Sequence, residues 1–112
     1  MTPAALRLLV GMLACATLSA APHTQTFVGV VSDDMCWKAG HARMQMGPTD
    51  ADCTRACVTE HDAAYVLVAG RNVYTLTGQT SPGQFAARKV KVTGVVDSRT
   101  QSIRIASIAL AK

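Results

Sequence analysis

Lys89-Val90-Lys91-Val92-Thr93-Gly94-Val95-Val96, followed by the turn residues Asp97-Ser98-Arg99-Thr100 and then Ile103-Arg104-Ile105-Ala106-Ser107-Ile108-Ala109-Leu110, decides the fold. Val90, Val92 and Val96 fall on one side of an extended chain, and Lys89, Lys91 and Thr93 on the other, the period of a half-buried strand. Ile103 and Ile105 alternate in the same way. Ile108 and Leu110 continue inward with the parity shifted by one, which predicts a β-bulge near Ala106-Ser107. Working outward, Ala64-Tyr65-Val66-Leu67-Val68-Ala69 and Val73-Tyr74-Thr75-Leu76-Thr77 flank Gly70-Arg71-Asn72 and form a hairpin. Gly78 to Gly83 is a loop, and Gln84-Phe85-Ala86-Ala87 a single helical turn carrying a buried Phe85. Thr26 to Ser32 supplies a first strand, whose interior Gly29 suggests a bend or bulge. Five short antiparallel strands in so small a chain close best as a barrel, which removes sheet edges. The fold class is therefore mainly β: a five-stranded OB-fold-like barrel with one helix between strands 1 and 2.

That helix is marked by Pro48, by Thr49 as N-cap, and by Asp50 and Asp52 in its first turn. It runs to about Glu60, with Cys53, Ala56 and Cys57 on one face. The segment from Ser32 to Pro48 has no steady period and reads as a long loop. Asp33 and Asp34 end the first strand and point apart. Pro22 to Gln25 is a polar lead-in. Before it, Arg7 and the apolar run Leu8 to Ala16, followed by small residues, make a secretory signal peptide over residues 1–21, with cleavage between Ser19 and Ala21. Cys15, in the run Met12-Leu13-Ala14-Cys15, reads as an apolar leader residue rather than a lipoprotein anchor. Residues 22–112 then form one exported domain, periplasmic or extracellular, expected to be a soluble monomer with no membrane span.

Export places Cys36, Cys53 and Cys57 where disulfides persist. Cys53 and Cys57 lie one helical turn apart, with Cβ atoms roughly 5–6 Å apart. A disulfide wants roughly 3.5–4.5 Å, so these two do not pair while helical. Cys36 pairing with one of them would staple the loop to the helix, worth about 3 kcal/mol for a loop of this length. The third thiol would be an apolar core residue. The same stretch allows a metal site instead. Cys36, Cys53, Cys57 and His41 form a Cys₃His set that suits zinc. Met44 and Met46, or Met35, would soften it toward Cu(I). No cofactor is required by the sequence; copper and zinc are the candidates. The oxidising compartment favours the staple. His61 reads as a solvated helix end, Trp37 as a cover for the barrel end, and His23 has no role.

These residues resemble an uncharacterised family of small exported bacterial OB-fold-like proteins. The resemblance rests on Gly29-Val30-Val31-Ser32-Asp33-Asp34-Met35-Cys36, His41, Met44, Cys53-Thr54-Arg55-Ala56-Cys57-Val58, Tyr65-Val66-Leu67 and Phe85 through Gly94. It covers nearly the whole of residues 22–112. Asp34 replaces a usual Ser, Ala87 a usual Gly, and Glu60-His61-Asp62 the usual Gly after the helix, so Asp62 or His61 must end it. The resemblance implies the fold and the exported location, and no activity.

Several function classes are disfavoured. There is no phosphate loop, no C-x-x-C pair and no nucleophile elbow, so no enzyme is expected. Acids exceed bases six to three between Pro22 and Asp62, and bases exceed acids seven to one from Ala63 onward. A basic face could bind polyanions. Binding of single-stranded nucleic acid needs stacking aromatics, and none interleaves Lys89, Lys91 and Thr93. The sequence points to a non-enzymatic binding or interaction module with a disulfide-stapled loop, or alternatively to a copper or zinc protein.

Overall fold

The computed structural model describes Gly11, Ala14 and residues 23–112. The leader expected over residues 1–21, its cleavage point and the reading of Cys15 lie, those two residues apart, outside the described set.

β-Branched and apolar runs form five strands: β1 (Thr24–Asp33), β2 (Tyr65–Ala69), β3 (Asn72–Thr77), β4 (Lys89–Asp97) and β5 (Ser102–Leu110). They close in a ring of order β1-β2-β3-β5-β4, as expected of an OB-fold-like barrel. Four of the five pairings are antiparallel. β3 and β5 pair parallel, which corrects the all-antiparallel expectation. A closed ring of five strands cannot alternate direction all the way round, so a parallel seam is unavoidable. β1 serves two neighbours, pairing with β4 through Thr24–Val30 and with β2 through Val30–Asp33. It therefore begins two residues earlier than the sequence suggested, with Thr24 and Gln25 paired to β4.

Gly29 stands just before that change of partner, but the register runs through it without a bulge. Its role is close approach: a Cβ there would lie 2.5 Å from the Val68 carbonyl oxygen. The bulge falls where the isoleucine parity predicts it. Thr93 pairs with Ser107 and Gly94 with Ile105, leaving Ala106 unmatched. Beyond the bulge Ile108 packs against the core, whereas Leu110, expected inward, is 53 % exposed at the end of the barrel.

The barrel interior is filled by Val31, Leu67, Leu76, Val90, Val92, Ile103 and Ile105, with Phe27 and Tyr74 packed against them, their ring centroids 5.1 Å apart. The turn expected at 84–87 forms two residues earlier, as a 3₁₀ turn over Pro82–Phe85. It buries Pro82 and Gly83, while Phe85 stays partly exposed against the core.

Between β1 and β2 the chain makes two helices. α1 (His41–Met44) is a single turn inside the segment read as loop, and α2 (Asp50–His61) is the expected helix. Thr49 caps α2 as the sequence requires, accepting from the Asp52 N–H at 3.1 Å. Asp62, in the left-handed conformation at φ 54°, ends it. Arg55 donates to the Gly83 carbonyl at 3.1 Å and ties α2 to the 3₁₀ turn. Among the described residues no helix is long and apolar enough to cross a membrane.

Candidate metal centre

A second, smaller core lies under α2. It consists of Cys36, Cys53, Cys57 and Ala63, all buried, with Met44, Met46 and Val58 packed against it. The end of β1 builds one wall. Asp33 Oδ1 accepts from the N–H groups of both Met35 and Cys36, each at 3.0 Å. Trp37 N–H and Gly40 N–H close successive turns on the Asp33 and Cys36 carbonyls at 3.1 and 2.8 Å. This folds the chain back on itself and buries Cys36 completely. Asp34, on the opposite side, is exposed and receives the Ala64 N–H at 3.1 Å, fastening the start of β2. The adjacent aspartates do point apart.

α2 builds the other wall. Its buried face carries Cys53, Thr54 and Cys57, one turn deep. Cys36, Cys53 and Cys57 are free thiols, and no two of them are at bonding distance. Cys36 Sγ lies 3.5 Å from Cys57 Sγ and 3.9 Å from Cys53 Sγ. The staple expected from the sequence is therefore not formed here, although Cys36 sits between both of its possible partners.

α1 brings in the third component. His41 Nε2 is 3.4 Å from Ser32 Oγ, and His41 Nδ1 is buried with no partner. Ligand atoms of Cys36, His41 and Cys53 lie within 4.8 Å of one another, as do those of Asp33, Cys36 and Cys57; Cys36 is common to both sets. The expected Cys₃His residues are thus divided between two sets that share Cys36, His41 with Cys53 in one and Cys57 with Asp33 in the other. Met44 and Met46 flank it, while Met35 is 40 % exposed and not part of the packing. Trp37 is 41 % exposed and does not seal the barrel end. It lines a cleft of about 250 Å³ with Val30, Ser32, Cys36, His41 and Val68. His23 and His61 are exposed.

Sequence reasoning missed Asp33 as a member of the group. The signal was present in the spacing Asp33-x-x-Cys36, since an aspartate that accepts from the residues two and three ahead turns the chain onto its own side chain. Burial pushes the Cys36 thiol well above the usual range, and the neighbouring Cys57 and Asp33 push it further the same way. Burial likewise raises Cys57. Both therefore hold their protons near neutrality unless a cation replaces them.

Comparison with protein-family models, with curated proteins and with solved structures finds no match, so the functional reading rests on the geometry of the cluster itself.

Proposed function

We propose that this chain is an exported, non-enzymatic domain that binds one thiophilic metal ion, zinc or copper, through Cys36, Cys53 and Cys57. The observation that carries the reading is the sulfur spacing of 3.5 and 3.9 Å around Cys36. Tetrahedral thiolates about 2.3 Å from a common ion stand about 3.8 Å apart. A disulfide needs about 2.05 Å. The barrel positions the two walls, and the cleft beside Trp37 and His41 gives the group its access to solvent.

Raised thiol pKa values oppose a catalytic cysteine, which works as a thiolate. The exposed lysines of β4, Lys89 and Lys91, face Val28 and Val30 of β1 across the sheet, with no aromatic side chain between them. That arrangement offers no stacking platform, and nucleic acid is not the partner. We take the domain to act as a soluble monomer.

The staple remains the second reading, and the 3.5 Å approach of Cys36 to Cys57 favours that pair. One preparation separates the two. The exported protein is purified without chelator or reductant, under anaerobic and aerobic conditions, and assayed for free thiols after denaturation and for zinc and copper. The metal reading expects three free thiols and close to one ion per chain in the anaerobic sample. One free thiol, no stoichiometric metal and a Cys36–Cys57 or Cys36–Cys53 peptide pair in both samples would establish the staple. Three thiols without metal in both would refute both readings.

A further inference from the structure

We infer that Asp33 is an oxygen ligand of this centre and that the mixed sulfur and oxygen set it forms with Cys36 and Cys57 takes a divalent zinc ion rather than Cu(I). The inference rests on the thiol centre proposed above and names its ion. Asp33 has no exposed surface. Its Oδ1 is occupied by the Met35 and Cys36 N–H groups, but its Oδ2 is buried without a hydrogen-bond partner. Among the described residues the only ion pair joins Arg55 to Asp52, at 3.2 Å, so no basic side chain answers Asp33. A buried carboxylate left unpaired is among the costliest groups a fold can hold. The atoms beside it are the sulfurs of Cys36 and Cys57, within 4.8 Å, and a thiol is only a weak donor. A cation at the shared corner of these three residues satisfies all of them together.

His41 stands in the other set, with Cys36 and Cys53, and offers an imidazole on that side of Cys36. A metal-bound histidine commonly uses one ring nitrogen for the ion and holds the other by a hydrogen bond. His41 Nδ1 is buried and free, and Nε2 faces Ser32 Oγ. Charge then selects the ion. Zinc accepts carboxylate, imidazole and thiolate ligands together, and its two charges offset more of a buried anionic set. Cu(I) brings one charge and prefers sulfur. Met44 and Met46 are accordingly apolar cover over the centre, not ligands.

The test compares the wild-type chain with D33N and with the double variant M44L/M46L. Asparagine keeps an oxygen for the Met35 and Cys36 N–H groups, so the turn survives, and circular dichroism of the metal-free protein checks this. Zinc affinity is measured anaerobically by competition with a chromophoric chelator, Cu(I) affinity by competition with a Cu(I)-specific chelator, and Co²⁺ spectra report the ligand set. D33N is expected to weaken zinc at least about tenfold, to shift the Co²⁺ ligand-field bands, and to leave Cu(I) affinity unchanged; M44L/M46L leaves zinc unchanged. Unchanged zinc binding and unchanged Co²⁺ bands in D33N would overturn the role of Asp33. A wild-type chain that binds Cu(I) but not zinc, with the loss in M44L/M46L, would overturn the zinc assignment while leaving the thiol centre intact. A wild-type chain that binds neither ion would overturn both this inference and the metal reading beneath it.

Discussion

Ala87 holds a φ of 62°, a conformation that costs an L-residue about 1–2 kcal/mol relative to the right-handed region. Its N–H donates to the Val31 carbonyl at 2.8 Å, and the Val31 N–H returns to the Arg88 carbonyl at 3.1 Å, so the chain cannot relax without losing the contact between the 3₁₀ turn and β1. Ala87→Gly should therefore stabilise the fold by about 0.5–1 kcal/mol, the strain relieved less the extra flexibility of glycine. Chemical denaturation of the two proteins checks it; a loss of stability would show that Ala87 is not strained. The sequence marked this position only as a departure from the glycine of the pattern it resembles. Asp33 was harder to read. Two adjacent acids at a strand end look like a solvated terminus, and alternation alone says that they point apart, not which of them enters the protein. What decides is the local turn that presents the Met35 and Cys36 N–H groups to Asp33. Thr54 was equally hidden: it lies on the buried face of α2 with its hydroxyl unpartnered, where the spacing of apolar residues pointed to Ala56.

At the scale of elements, α2 was legible because its ends carry local chemistry. Thr49 and Asp52 cap each other, the Asp52 N–H reaching Thr49 Oγ1 at 3.1 Å and the Thr49 hydroxyl donating to Asp52 Oδ2 at 2.7 Å. Thr49→Ala should cost about 1 kcal/mol of stability. It should also weaken metal binding, because Cys53 lies in the first turn that the cap holds; thermal unfolding with and without zinc separates the two effects. An equal loss in both would place the cap outside the centre. The bulge at Ala106 was readable for a similar reason, since a single extra residue reverses the parity of every isoleucine after it. α1 was not readable: four residues between Gly40 and Gln45 contain no periodicity to find. Gln45, at φ 47°, stops α1 without the glycine that usually marks such an end. The parallel pairing of β3 with β5 was also beyond local pattern, since alternation sets which face is buried and says nothing of strand direction.

The described residues pack into two cores of different kinds, a barrel filled with aliphatic side chains and a thiol-lined pocket under α2. Buried ionisable groups link that pocket to pH. Cys36, Cys57 and Tyr65 are all raised by burial above values of 9.0 for the thiols and 10.0 for the phenol. Above pH 9 the unfolded chain releases protons that the folded one keeps, so unfolding becomes easier. The metal-free, reduced protein should keep its full stability through neutral pH and lose it progressively above pH 9; urea denaturation at stepped pH measures this, and a flat profile to pH 11 would contradict it. Bound metal works in the opposite sense, since an ion must displace thiol protons and its affinity falls as the pH is lowered. The central claim is that an ion sits among these sulfurs, and X-ray absorption at the metal edge of the anaerobically purified protein tests it most directly. The account predicts a sulfur shell at about 2.3 Å together with lighter nitrogen or oxygen neighbours. A metal surrounded only by nitrogen and oxygen, or a protein with no metal to absorb, would contradict it.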